Sequence, residues 1–310
     1  MNRRSFLAGL LSGLCSGLGG LAGGFGLFGL SGLAGCRPHF GGLTIGSKNF
    51  TEQLILGELL AQYLEQQLKI AVDRRFYLAG TYICHQALLA GRIDTYVEYT
   101  GTAYSAVLKE RYVLSDHAEV LGFVKDQYAR RFGLEVMPPL GFDNSFAMVM
   151  RGEDARRNHL TKLSQLAPFA SQMRMGVGYE FLERPDGYKG LVARYNLKFG
   201  EAPRVMDLGL LYRALESRQV DIVAGSNTDG LIAALGLVVL EDDLHYFPPY
   251  DAVPIVRSAA LRKYSGLHAA FDRLGGHISA EQMRRMNYAV DGEKKDASVV
   301  VREFLRENRL

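Results

Sequence analysis

The sequence predicts an α/β protein built as two similar lobes, with mainly parallel sheets and a ligand cleft between them. Two observations carry this expectation. Short apolar runs alternate with helical periodicity in β-α-β-α-β order near the start of the folded chain, and the alternation returns in its middle. The two stretches also share a phrase. Gln86-Ala87-Leu88-Leu89-Ala90-Gly91-Arg92-Ile93-Asp94 is similar to Arg213-Ala214-Leu215-Glu216-Ser217-Arg218-Gln219-Val220-Asp221, and each ends a helix and opens a strand at an aspartate.

Leu43 to Gly46 reads as a short strand and Thr51 to Leu68 as a helix. Leu56, Leu59, Leu60, Tyr63, Leu64 and Leu68 fall near one face of that helix. Asn49 with Glu52 three residues later predicts a capping box at its start. Ala71 to Phe76 is the next strand, Tyr82 to Ala90 a helix closed by Gly91, and Asp94 to Val97 a strand. In the middle, strands are expected over Arg174 to Gly178, Arg204 to Met206 and Val220 to Ala224. Helices are expected over Gly187 to Tyr195 and Leu210 to Arg218. The C-terminal part reads as helical, with a capping box at Ser279 and Gln282 and a cap at Asp296 for the last helix.

The N-terminus reads as an address. Arg3 and Arg4 precede an apolar, glycine-rich run from Leu7 to Ala34, the layout of a secretory signal. Arg-Arg followed by Phe6-Leu7 resembles a twin-arginine export signal. Leu33-Ala34-Gly35-Cys36 looks like a bacterial lipobox, in which Cys36 is the lipidated residue; Leu14 is too large for cleavage before Cys15. The run is also long enough for a plain membrane anchor, although its glycines weaken it as a span. Either reading tethers the protein outside the cytoplasm. Residues 1–35 are therefore expected to be an export signal and residues 36–42 a linker.

Composition narrows the function. The charged content of 22% and hydrophobic content of 48% fit an ordinary folded globule. Arg3 and Arg4 supply two of the 36 basic residues and no acid precedes Cys36, so the remainder is nearly neutral and gives no electrostatic case for nucleic acid. Only Cys84 lies beyond the N-terminal segment, which excludes a disulfide framework, and no cysteine or histidine spacing suits zinc. No Gly-x-Ser-x-Gly elbow is present, so neither a metal nor a catalytic group is expected.

Further motifs are specific enough to suggest a family. Gly46-Ser47-Lys48-Asn49-Phe50-Thr51-Glu52-Gln53 is followed by Ala79-Gly80-Thr81 and Tyr96-Val97-Glu98-Tyr99-Thr100-Gly101-Thr102. Glu180-Phe181 with Arg184, Asp186, Gly187 and Tyr188 come next, then Thr228-Asp229-Gly230, Leu240-Glu241-Asp242-Asp243 and Phe247-Pro248-Pro249-Tyr250-Asp251. Over residues 43 to 310 the chain resembles the quaternary-amine substrate-binding proteins of ABC importers, the glycine betaine, choline and carnitine receptors. The resemblance implies a type II periplasmic-binding-protein fold. Lobe one would comprise 43–144 plus 250–310 and lobe two 145–249, with crossings near Asn144 and Pro249. It implies a monomer without cofactor that delivers a small solute to a permease and ATPase. Ergothioneine, itself a betaine, and an amino acid are rival ligands, and a solute sensor is a rival role.

In that family an aromatic cage holds the trimethylammonium group, which cannot donate a hydrogen bond. The chain has no Trp, so a cage must be built from its Tyr and Phe residues. Lys48, Gln53 and Thr81 stand at strand ends or helix starts, where ligands gather in open α/β sheets. Lys48 and Gln53 read equally as solvated residues and Thr81 as a helix cap. Tyr99 is the leading cage residue, with Thr100 beside it. Asn144 and Phe146 lie at the first crossing. Phe146 stands where relatives often carry Tyr, which leaves room for a ligand other than glycine betaine. Arg151 suits either a ligand carboxylate or the surface. Of Tyr179 and Phe181, one is expected to face the cleft. Tyr212 reads equally as helix core. Asn227, Thr228 and Asp229 end a strand as ligand contacts, unless Asp229 caps the next helix.

Overall fold

The structure, a computed structural model, describes residues 42–110 and 114–310. The expected export signal, Cys36 and the linker up to residue 41 lie outside the described residues. The strands assemble into two five-stranded sheets. The first has the order β2-β1-β3-β10-β4, from β1 (Leu43–Lys48), β2 (Val72–Ala79), β3 (Thr95–Tyr99), β4 (Leu134–Val136) and β10 (Ala252–Arg257). The second has the order β7-β6-β8-β5-β9, from β5 (Phe146–Arg151), β6 (Met175–Val177), β7 (Arg204–Val205), β8 (Ile222–Ser226) and β9 (Leu237–Leu240).

Both sheets are mixed, and the reason lies in the chain path. In the first, β1 runs parallel to β2 and β3, whereas β10 is antiparallel to β3 and β4. In the second, β6 is parallel to β7 and β8, whereas β5 is antiparallel to β8 and β9. The antiparallel strand in each case is the first one laid down after the chain passes from one sheet to the other. The β-α-β units set the parallel part that the sequence predicts, and the two passages add the rest. The passages themselves run side by side. Asp143 bridges Asp251 antiparallel, Asn144 N–H donates to Tyr250 O at 3.0 Å, and Ala252 N–H donates to Phe142 O at 3.1 Å.

Burial follows sheet position. All five residues of β3 are buried, as suits a strand covered on both faces. The edge strand β2 instead exposes Asp73, Arg74 and Arg75, charges that discourage pairing with another chain. Helix α1 (Thr51–Leu68) packs with the C-terminal helices Ala280–Asp291 and Ala297–Asn308 in one core with β1. The Tyr63 hydroxyl donates to Ala270 O at 3.0 Å inside that core.

The shared phrase marks equivalent joints. Asp94 accepts from Thr44 N–H of β1 at 3.0 Å and meets Arg257, the last residue of β10, at 3.2 Å. Asp221 accepts from Arg174 N–H, one residue before β6, at 2.9 Å and meets Arg151, the last residue of β5, at 2.8 Å. Each aspartate thus ties the parallel part of its sheet to the antiparallel part. Arg151 is neither a ligand group nor a surface residue: it is buried, pairs with Asp154, and donates to Leu215 O and Val220 O. The capping box at Ser279 and Gln282 is present, and Asp296 accepts from Ser298 N–H at 2.8 Å. The box expected at Asn49 is not: α1 starts from Phe50 without a side-chain cap, because Glu52 is engaged elsewhere. Among the described residues, no helix is long and apolar enough to cross a membrane.

Candidate functional site

The residues at or just beyond the ends of β1, β3, β6 and β8 meet where the two sheets face each other. Glu52, in the first turn of α1, is the hub. It is 3% exposed. Its Oε1 accepts from the Tyr99 hydroxyl at 2.7 Å and from Asn144 Nδ2, and its Oε2 accepts from the Thr228 hydroxyl at 2.6 Å and Asn287 Nδ2 at 3.0 Å. Tyr99 ends β3, Asn144 lies on the passage to β5, Thr228 follows β8, and Asn287 belongs to helix Ala280–Asp291. One carboxylate therefore joins both sheets. Ser226 closes the ring by donating to Asn144 Oδ1 and lying 2.9 Å from Thr228 Oγ1.

Lys48 ends β1 buried, its ammonium paired with Glu98 of β3 and lying 4.9 Å from the Tyr99 ring centroid. Glu98 also accepts from the Tyr96 hydroxyl at 3.1 Å. Gln53 Oε1 accepts from Lys48 N–H at 3.5 Å, while its Nε2 is buried without a partner. On the other side, Phe146 packs against Phe181, Phe247 and Tyr250, with ring centroids 4.9, 5.6 and 5.7 Å away. Arg184 lies 4.9 Å from the Phe146 centroid and forms a fork with Asp186, whose Oδ2 also accepts from the Tyr250 hydroxyl. Burial opposes the Arg184 charge, but the Asp186 carboxylate outweighs it and holds the guanidinium protonated.

Asp229 accepts from the Tyr212 hydroxyl and, at 2.9 Å, from Ser226 N–H, both through Oδ2. Burial pushes its carboxyl up to about 7 against those two bonds, with Glu52 and Asp291 adding to the rise. It does not cap the next helix, whose N-cap is Gly230. Tyr212 is buried beneath β8, held against the open face of Gly225.

The sequence candidates thus fall into linked groups. Tyr99, Asn144 and Thr228 meet at Glu52, Lys48 and Gln53 adjoin them, and Phe146 and Phe181 share the aromatic cluster. Tyr212 and Asp229 form a pair. Tyr179 and Phe181 lie on helix Tyr179–Glu183, where Phe181 is buried and Tyr179 is 48% exposed. Thr81 is the first residue of helix α2 (Thr81–Leu89), whose cap is Gly80, and its hydroxyl is buried without a partner. Asn227 bonds back to Asp143 at 3.4 Å and leaves Oδ1 without a partner. Thr100 stands apart, accepting from Asp251 N–H at 3.0 Å and donating to Pro249 O at 3.1 Å. Sequence reasoning passed over Glu52, Asn287, Ser226 and the Arg184–Asp186 fork. It also passed over Phe247 and Tyr250 as wall residues, although the aromatic-flanked Pro248-Pro249 pair was a signal for them.

Neither Glu52 nor Asp229 has a cationic partner among the described residues, while Lys48 and Arg184 each have a carboxylate. The junction therefore carries an excess of acid beside aromatic rings, a setting for a cationic group. Two α/β sheets meeting at their strand ends over such a lining define a two-sheet ligand-binding protein. The family of substrate-binding domains of ABC-type glycine betaine transport systems matches residues 41–307, and the chain belongs to it. It is an extracytoplasmic transport binding protein and not an enzyme. The carnitine transport binding protein of Listeria monocytogenes (strain 10403S) is 33% identical over 278 residues, covering 87% of this chain and 90% of that one. An ergothioneine transport permease/ergothioneine binding protein of Helicobacter pylori (strain G27) is 34% identical over 264 residues, 85% of this chain and 47% of that protein. The crystal structure of a glycine betaine/carnitine/choline ABC transporter superposes with a TM-score of 0.72 at 32% identity, covering 86% of this chain and 98% of that one.

Proposed function

We propose that the junction between the sheets is the ligand cleft in a closed form, and that it captures a small betaine-type quaternary amine, of the carnitine, choline or glycine betaine class, for a permease and ATPase. The observation that carries this reading is the aromatic cluster of Phe146, Phe181, Phe247 and Tyr250 at the junction, together with Tyr99 bonded to Glu52, a carboxylate with no cationic partner among the described residues. The rings offer faces to a group that cannot donate hydrogen bonds, and the carboxylate offers compensating charge. The orphaned Gln53 Nε2 and Thr81 hydroxyl supply polar groups for the far end of the ligand. Lobe one then comprises 43–144 plus 250–310 and lobe two 145–249, and the protein acts as a monomer tethered through a lipid on Cys36. The likeness to the Helicobacter protein supports ergothioneine as the second reading.

Calorimetric titration of the purified protein with carnitine, choline, glycine betaine, ergothioneine and arginine tests the proposal. Micromolar or tighter binding of one quaternary amine with arginine silent is the expected result. Silence from every quaternary amine sinks the ligand class and leaves the fold untouched.

A further inference from the structure

Helix α2 opens with no cap of its own. Its N-cap is Gly80, and no side chain of the local chain bonds the first amides. Those amides are served from across the junction, by the helix Tyr179–Glu183 that follows β6. Thr81 N–H donates to Glu180 Oε1 at 2.7 Å and Gly80 N–H to the Tyr179 hydroxyl at 3.0 Å, partners 99 residues away. The approach is possible only because Gly80 lacks a Cβ, which would collide with both the Glu180 carboxylate and the Tyr179 hydroxyl. The start of a nine-residue helix, with its aligned amides, is a favourable place for an anion, and here a carboxylate already sits there.

Two buried donors near the start of α2 have no hydrogen-bond partner. The Thr81 hydroxyl is fully buried and has no partner. Gln53 Nε2 is likewise orphaned. Gln53 reaches back to Lys48 N–H, and Lys48 pairs in register with Ala79, the residue before Gly80. Buried polar atoms without partners are rare and mark groups that another molecule completes. Glu180 is only half-buried and its neighbour Tyr179 is exposed, so this contact can open without disturbing a core.

We propose that Glu180 is a built-in competitor for the carboxylate of a zwitterionic ligand. It fills the amide end of α2 and so sets the preference of the cleft between carboxylated betaines and quaternary amines that lack a carboxylate. A betaine carboxylate takes the Gly80 and Thr81 amides and the Thr81 hydroxyl only by displacing Glu180. Choline, with no carboxylate, leaves Glu180 in place. This inference rests on the quaternary-amine reading above.

The test compares affinities for carnitine and choline in the wild type, Glu180→Ala and Glu180→Gln. The ratio of carnitine to choline affinity is expected to rise about tenfold in Glu180→Ala, the scale of one charge-assisted hydrogen bond. Glu180→Gln, which keeps an acceptor but not the charge, is expected to fall between the two. An unchanged ratio, or equal weakening of both ligands, overturns the competitor role while leaving quaternary-amine binding intact. Small-angle scattering of the ligand-free protein gives a readout that needs no ligand. Glu180→Ala is expected to be more open than the wild type, and an identical radius of gyration overturns the proposal even if neither amine binds.

Discussion

Removing one oxygen from the Glu52 carboxylate tests whether this group is the pin between the sheets. Glu52→Gln turns two accepted hydrogen bonds into contacts between donors. If the new amide nitrogen takes the Oε1 position, it faces the Tyr99 hydroxyl and Asn144 Nδ2. The hydroxyl can rotate to accept, but Asn144 cannot turn over, because its Oδ1 already accepts from Ser226. At the Oε2 position it faces the Thr228 hydroxyl and Asn287 Nδ2. Asn287 can turn over, because its Oδ1 has no partner, though it then gives up the 2.9 Å bond to Thr228 O. The amide nitrogen therefore settles at Oε2. The loss is one neutral bond plus the charge assistance on the bonds that remain, about 2–3 kcal/mol together. For a chain of this size that lowers Tm by roughly 4–6 °C. Glu52→Ala strips the acceptor from all four donors and costs about 4 kcal/mol or more. Urea unfolding at pH 7 reads both. A Glu52→Gln loss below about 0.5 kcal/mol, or an alanine variant no worse than the glutamine one, would refute the reasoning.

Three further outcomes follow from the same structure. The folded Asp229 carboxyl, pushed up to about 7 by burial, lies above its unfolded value, so the folded protein holds an extra proton between them. Stability should therefore rise as pH falls from 8 to 5, by about 2–3 kcal/mol, and by about 4 kcal/mol once pH falls through the unfolded value. Asp229→Asn, whose amide oxygen can accept from both Tyr212 and Ser226, should abolish most of that slope; parallel slopes would discount the burial. Phe146→Ala should cost about 3 kcal/mol in urea unfolding, since three rings and Arg184 lose their partner; a change within error would mean the cluster adds no stability. Tyr99→Ala should weaken quaternary-amine binding by more than about 1 kcal/mol in calorimetry, and unchanged affinity in a folded variant removes Tyr99 from the cage.

Much of the first sheet was legible because local apolar periodicity marks β1, α1, β2, α2 and β3; the helix starts were not, since α1 has no side-chain cap and α2 is served by Tyr179 and Glu180 from far along the chain. The shared aspartate phrase was legible for the same reason, and its joints to Arg257 and Arg151 explain why both halves keep it. Strand β10 was not. Its Ala252-Val253-Pro254-Ile255-Val256 run carries a proline, which argues against a strand between two neighbours, yet it lies between β3 and β4. Its place is decided by the return passage, which only the tertiary structure shows. Glu52 was hidden by a plausible local role. A glutamate in the first turn of a helix ordinarily serves that helix, and nothing in the spacing reveals that donors from Tyr99, Asn144, Thr228 and Asn287 will arrive there. The motifs single out Tyr99 and Phe146, but nothing in them tells that Lys48 and Arg184 stand over those rings.

The two passages between the sheets have a mechanical consequence. They form a paired ribbon, bonded through Asn144 to Tyr250 and Phe142 to Ala252. Two separate tethers would let the sheets shear, twist and drift apart. A bonded ribbon resists all three and yields mainly by bending across its flat face, like a strip hinge on a box lid. Relative motion of the sheets about such a ribbon is confined to one arc, so Glu52 and Thr228, which bond across them, would part and meet again in a single register.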